Sequence, residues 1–380
     1  MQLKLRKLVV GLATLALSLV AIAQQPIVIK FSHVVATDTP KGKASVFFAA
    51  KAAELTQGKV RVEVFANSIL YKDREELEAL QLGAVQMLAP SLAKFGPLGI
   101  KEFELFDLPY IFDDYNELHR VTAGPVGKKL LEKLETKGLV GLAFWDNGFK
   151  VMSANRPINM PVDYRNLKMR IQPSNVLDAQ MRALGAIPQK MAFSEVYQAL
   201  LTGVVDGTEN PPSNLYTQKM HEVQKYVTVT NHGYLGYAVI TNKKFWEGLP
   251  SDIRSALEIA MVQATEYANR IAQEENDLAL EEVRKSGRSQ IVTPNAEQKM
   301  AMKTVLVQVH EQMASRIGRE NIEAVYQAIA GLKEADVGGP ANSQIAAFAL
   351  KAWPWLLTLL GVLVMVANST KMTIWFQRLR

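Results

Sequence analysis

The chain has no cysteine among its 380 residues. That excludes a disulfide framework, a thiolate nucleophile and any thiolate-held metal. Histidine is scarce. His33, His119, His221, His232 and His310 are the five, and none stands at HExxH or another close metal-ligand spacing. The GxSxG, GxGxxG and phosphate-loop patterns are missing as well. Charge of one sign is also short: 35 basic and 35 acidic side chains lie between Gln24 and Leu332, so the formal excess of +6 comes from the two ends. A neutral body lacks the basic face of a nucleic-acid binder. The sequence therefore predicts no catalytic group, no metal, no cofactor and no nucleic-acid partner.

What is present is a large apolar inventory, 48% hydrophobic with 8% aromatic residues. This is enough for two or three domains with sizeable cores. The first residues have the parts of a secretory signal: basic Lys4, Arg6 and Lys7, an apolar run from Leu8 to Val20, and Ala21-Ile22-Ala23 as a small-x-small cleavage site. A signal over 1–23 would place the mature chain outside the cytoplasmic membrane, in a bacterial periplasm; an uncleaved membrane anchor is the alternative, disfavoured by the short apolar run and the adjacent cleavage site. The other end carries an apolar extension over 331–380. Its run from Ile345 to Ala367 is broken by Lys351 and followed by Lys371, Arg378 and Arg380. A membrane helix about 352–367, a docking helix and a tail from an altered reading frame each fit that composition.

Between the ends, strand and helix patterns alternate. Ile27 to Phe31, Lys59 to Phe65, Ala84 to Leu88 and Leu139 to Trp145 read as strands. Gly42 to Leu55, Asp73 to Leu82 and Phe193 to Leu201 read as helices. This predicts an α/β fold with crossover helices. From Ser251 the texture becomes helical, with one long stretch to Lys285 and further stretches over Asn295–Ile317 and Asn321–Ile329; Pro250 with Ser251 and Asp252 supplies a stop and an N-cap signal. Two lobes joined by more than one crossing segment, with a cleft between them, is the simplest architecture.

An exported two-lobed protein favours binding in the cleft. Arg170, in the β-like run Leu167–Gln172, is either paired internally or aimed at a ligand carboxylate, which its planar fork would match with two parallel hydrogen bonds. Asn210 lies in Gly203–Pro212, where two glycines and two prolines predict a sharp turn; taken alone, a turn role is favoured. Lys150, after a predicted strand, is either a cleft cation or a solvated surface charge. Pro40–Lys43 and Tyr71–Arg74 are loop-to-helix junctions whose free N–H groups can help hold an anion. Tyr234, Tyr237 and the Phe103, Phe106 and Tyr110 group could wall a pocket or belong to the core.

Several blocks carry a likeness. The segment from Phe31 to Met87 (FSHVVATDTPKGKASVFF and onward), FELFDLPYIFDD, DNGFKVMSANRPI, LKMRIQPSNVLDAQMRALGA and GVVDGTENPPSNLYTQ stand in order. Together they resemble the solute-binding proteins of TRAP (tripartite ATP-independent periplasmic) transporters, over about 26–330. The similarity is to the DctP-like branch that binds four-carbon dicarboxylates such as malate, succinate or fumarate. The resemblance implies the two-lobed periplasmic binding protein fold, with lobe I at 24–147 plus 236–275, lobe II at 148–235 plus 276–330, and a long helix spanning both. It further implies that Arg170 holds a ligand carboxylate assisted by Asn210, with Lys150 at a second basic position where many relatives carry arginine. Gln172, Ser174, Tyr237, Lys72 and Asp73 are the remaining implied contacts. The implied partners are an organic acid and the small and large permease subunits, with the binding protein itself a monomer. A monocarboxylate, keto acid or sugar acid is the alternative ligand, and sensing the alternative to transport.

Overall fold

The structure is a computed structural model that describes residues 25–338. The signal expected over 1–23 and the apolar run expected near 352–367 lie outside the described residues. Contacts divide the chain into a unit ending at Tyr326 and a second beginning at Gln327. The second is described only for the remainder of the helix Arg319–Gly338, and everything below concerns the first. Among the described residues no helix is long and apolar enough to cross a membrane.

Two sheets organise the first unit. One has the strand order β2-β1-β3-β10-β4, built from β1 (Ile27–Ser32), β2 (Val60–Phe65), β3 (Met87–Leu88), β4 (Leu139–Phe149) and β10 (Tyr234–Asn242). β1 is parallel to β2 and β3, while β10 runs antiparallel between β3 and β4. The other sheet has the order β11-β9-β5-β8-β6-β7. Its strands are β5 (Val151–Ala154), β6 (Lys168–Ile171), β7 (Ile187–Lys190), β8 (Gly207–Asn210), β9 (Tyr226–Thr228) and β11 (Gln290–Val292). The chain passes from the first sheet to the second at Lys150, between β4 and β5, and returns between β9 and β10. Lys150 N–H donates to the Gly233 carbonyl at 2.8 Å, so the two crossings lie side by side.

In β1 and β6 the alternation sorts side chains between two faces, whereas β5, β8 and β10 are buried along almost their whole length. Ile29 and Phe31 of β1 enter a core with Phe48, Trp145 and Val239. In β6, Met169 and Ile171 pack with Leu177 and Met181. Helix α1 (Pro40–Leu55) starts at Pro40, not at the predicted Gly42, because the Thr39 side chain caps it by accepting from Gly42 N–H at 3.2 Å and proline suits the first helical position. Helix α2 (Glu75–Gln81) is shorter than predicted, as is β3, whose register covers only Met87 and Leu88. The predicted helix over Asn295–Ile317 is two, Ala296–Leu306 and Gln308–Ile317, interrupted at Val307.

Gly42 is the tightest point of α1. A Cβ there would stand 2.4 Å from both the Ala36 and Thr37 carbonyl oxygens, which are backbone and cannot swing aside. Gly42→Ala is expected to destabilise the protein by about 1–3 kcal/mol, read as a lower midpoint in denaturant unfolding. An unchanged midpoint would refute that close approach.

Helix α5 (Ser251–Ser286) ties the two halves together. It lies against α1 and β4 on one side and α4 (Pro212–Thr217) on the other. The residues Ala260, Ala264, Ala268 and Ala272 recur every four positions, all buried, and form the small-residue ridge that lets a neighbouring helix approach closely. No side chain caps its start: Ser251 is already helical, and Pro250 (φ −53°, ψ 143°) sets the entry. Asn276 links β4 to α4, donating to the Asn147 carbonyl at 2.5 Å and accepting from Ser213 N–H at 3.0 Å.

Candidate functional site

Between the two sheets lies a small polar cavity of about 20 Å³. More open depressions occur on the surface, including one at Met160, Arg165 and Met300. The small cavity is singled out by chemistry, because buried charged groups from both halves converge on it.

Alternation along β6 sends Met169 and Ile171 into the core and Arg170 to the opposite face. Arg170 is 2% exposed. Its Nε–H and Nη2–H both donate to the Met191 carbonyl, at 3.1 and 2.9 Å. That leaves most of its five donors for something else. Its guanidinium also stands 5.8 Å from the centre of the Phe193 ring. Burial pulls its pKa down, opposed by Asp73 and Glu209. Among the described residues no carboxylate lies within ion-pair distance of it.

Asn210 closes β8 beside it. The predicted turn at Gly203–Pro212 is a turn only at its start, where Gly203 has φ +74°. Gly207–Asn210 is a buried strand paired with β5, Asn210 opposite Val151. Asn210 donates to the Thr208 hydroxyl at 3.3 Å and lines the cavity, as do Gln172 and Asn214. The Asn214 Oδ1 is buried with no hydrogen-bond partner among the described residues.

The first half supplies Lys41 from the first turn of α1, Lys94, and Asp73 from the loop before α2. Lys41 is 1% exposed, donates to the Ala89 carbonyl at 2.9 Å, and lies over the Tyr237 ring, 3.7 Å from its centre. Burial, helped by the charge of Lys94, lowers it to about 7. Lys94 is held by two carboxylates, Asp73 and Glu76, the latter at 2.7 Å. Burial works against the Asp73 carboxylate, but Lys94, the Phe193 N–H and Arg170 together hold it down to about 2. Asp73 thus reaches from the first half to a backbone donor of the second.

Of the other residues marked in the sequence, Tyr237 joins the cavity and Lys72, Ser174 and Lys150 do not. Tyr237 lines the cavity and its hydroxyl accepts from Asn214 at 3.5 Å. Lys72 is exposed and pairs with Glu195 at 2.9 Å across the rim. Ser174 caps α3 (Asn175–Ala183), accepting from Leu177 N–H at 3.4 Å. Lys150 lies away from the cavity lining, in a buried pair with Glu209 at 2.8 Å. His232 Nε2–H donates to the other Glu209 oxygen at 2.9 Å, and its Nδ1 meets the Thr230 hydroxyl at 2.7 Å. A carboxylate only accepts, which fixes the imidazole in that orientation. Burial favours neutral His232, whereas Lys150 and His232 outweigh burial at Glu209 and hold it down to about 2. Phe103 and Phe106 are core, packed on Phe144.

Lys94, Glu76, Phe193 and Asn214 were not singled out from the sequence, and Lys41 only as part of its helix junction. Lys94 carried a usable signal: a lysine inside the apolar run Leu92-Ala93-Lys94-Phe95 has to find partners in the interior.

The family model described as bacterial extracellular solute-binding protein, family 7 (DctP), matches residues 31–317. The chain is 66% identical over 317 residues to the C4-dicarboxylate-binding periplasmic protein DctP of Rhodobacter capsulatus, covering 83% of this chain and 95% of that protein. A TRAP periplasmic solute binding protein from Sulfurospirillum deleyianum, solved with bound succinate, superposes with a TM-score of 0.77 at 46% identity over 79% of this chain and 98% of its own. One from Pseudomonas aeruginosa, solved with bound L-malate, does so with 0.74 at 43% identity, covering 76% and 100%.

Proposed function

The chain belongs to family 7 of the bacterial extracellular solute-binding proteins, and on that premise we propose that it captures a C4 dicarboxylate in the periplasm and delivers it to a TRAP permease. Binding is of high affinity and the ligand is succinate or malate, in keeping with the relatives solved with those acids. No bond is made or broken; the protein is a carrier. It would work as a monomer, each chain carrying its own cavity.

The observation that carries the reading is Arg170: a buried guanidinium, without a carboxylate counter-ion among the described residues, facing a cavity between two sheets. Asp73 and Glu209 offset its burial only in part, and an incompletely compensated buried cation is costly. An acid entering the cavity supplies the missing charge through a bidentate pair. Asn210 and Gln172 would hold the same carboxylate from the side, and Tyr237 would floor the site. Lobe I would comprise 24–147 with 236–275 and lobe II 148–235 with 276–330, supported by the membership of the two sheets. Closure about the crossings at Lys150 and 229–233 would expel water and strengthen the ion pair.

Thermal unfolding against a panel of acids tests this. Succinate, malate and fumarate are expected to raise the midpoint in a concentration-dependent way, by mass action on the folded state, adding about 4 kcal/mol at a thousandfold excess over Kd. A response to galactonate or butyrate with none to the diacids would replace the C4 reading with a sugar-acid or monocarboxylate one.

A further inference from the structure

Three buried cations border the cavity, and they are not equivalent. Lys94 is enclosed by Asp73 and Glu76. Arg170 and Lys41 have no carboxylate partner among the described residues, and they come from opposite walls. The Lys41 ammonium has three donors. One goes to the Ala89 carbonyl and one side of the charge rests on the Tyr237 ring, which leaves donor capacity with no acceptor among the described residues. Its backbone is fixed by the Thr39 cap, by the tight seat of Gly42 and by the Ser45 hydroxyl donating to its carbonyl at 2.8 Å. The ammonium is therefore held in place before any ligand arrives.

We propose that Lys41 holds the second carboxylate of the diacid, opposite Arg170, and is the residue by which the site distinguishes a dicarboxylate from a monocarboxylate of the same length. This rests on the C4-dicarboxylate reading above. One positive charge on each wall, each lacking a counter-ion, matches a ligand with a negative charge at each end. The groups around Lys41 do not provide that balance. His33 follows β1 and is held near 3 by burial, with Lys41 adding to the effect, so it is neutral at physiological pH. Lys94 repels the ammonium, and Glu76 and Asp73, which are bonded to Lys94, offset this only in part. Tyr237 on β10 offers its ring and remains protonated.

Proton linkage supplies an independent readout. In the empty site Lys41 titrates at about 7, and a carboxylate beside it favours the charged form. The complex then binds more protons than the free protein, so succinate binding takes up protons and weakens as pH rises above 7.

The test is calorimetric titration of the full chain with succinate and with succinamate, which replaces one carboxylate by an amide of the same shape. The wild type is expected to prefer succinate by at least about 30-fold, by analogy with other sites that leave a buried polar group unpaired when a ligand group is missing. Lys41→Met is expected to bring the two ligands within about threefold. It should also abolish the proton uptake seen on comparing buffers of different ionisation heat between pH 6.5 and 8.5. Lys41→Gln, which keeps a donor for Ala89, repeats the measurement should the methionine variant fold poorly. Retention of the wild-type preference by these variants, or equal loss for both ligands, would overturn the assignment. A wild type that binds neither succinate nor malate overturns the C4 reading itself, and this assignment with it.

Discussion

Arg170→Ala is expected to weaken succinate or malate binding about 1000-fold, roughly 4 kcal/mol, while the unliganded protein unfolds at the same midpoint or a higher one. The two halves of that expectation have one cause. With ligand bound, the guanidinium makes a charge-assisted, desolvated pair, and removing one partner of such a pair costs about 2–5 kcal/mol. Without ligand, the same group is 2% exposed and its only acceptor among the described residues is the Met191 carbonyl, so its charge is a net burden on the fold. Arg170→Lys should recover little, since an ammonium cannot reproduce two parallel bonds to one carboxylate. Titration calorimetry and denaturant unfolding of the same samples measure both effects. A variant that lost stability and kept its affinity would make Arg170 a structural residue and remove the basis of the proposed site.

Glu209→Gln is expected to cost about 3–5 kcal/mol of stability, because it leaves Lys150 buried without its counter-charge. Glu209 and Lys150 are each 1% exposed at the side chain, and His232 is fully buried. A double variant, Glu209→Leu with Lys150→Met, should regain most of the loss, since a well-packed apolar pair often does as well as a buried ion pair. The carboxylate also sets an acid limit. Its pKa in the folded state is about 2 against 4.5 for the free side chain, so the folded state binds its proton less readily than the unfolded one. Its contribution is complete above about 4.5 and is lost as pH falls towards 2. The Gln variant should therefore lose less stability than the wild type between pH 5 and 2. If the two pH profiles ran parallel, Glu209 would not be the titrating group.

Local patterns were legible and long-range pairings were not. The alternation in Ile27–Phe31 and the helical spacing after Ser251 report which face a residue buries, and β1 and α5 follow them. Arg170 could be picked out because a guanidinium between Met169 and Ile171 has few uses inside a protein. Its freedom from an internal ion pair became visible only with the fold. Asn210 read as a turn residue because of its proline and glycine neighbours, yet β8 is held as a strand by pairing with β5, more than fifty residues earlier. Lys150 read as a cleft cation or a solvated charge; its neighbour is Glu209, which no local pattern connects to it. Lys41 was legible only as part of a helix start, because Tyr237 and the Ala89 carbonyl reach it from distant parts of the chain.

The placement of β10 bears on how the chain becomes a protein at all. That strand lies in the first sheet between β3 and β4, yet the whole second sheet except β11 precedes it in the sequence. A chain threaded amino end first through an export channel thus presents β1 to β4 before the strand that joins β3 to β4 has emerged. Pairings of such large sequence separation form slowly. The early strands have to wait, with unpaired edges that invite wrong partners. Completion of the first sheet thus waits on Asn242, the last residue of β10, and no earlier segment of the chain can close the gap between β3 and β4.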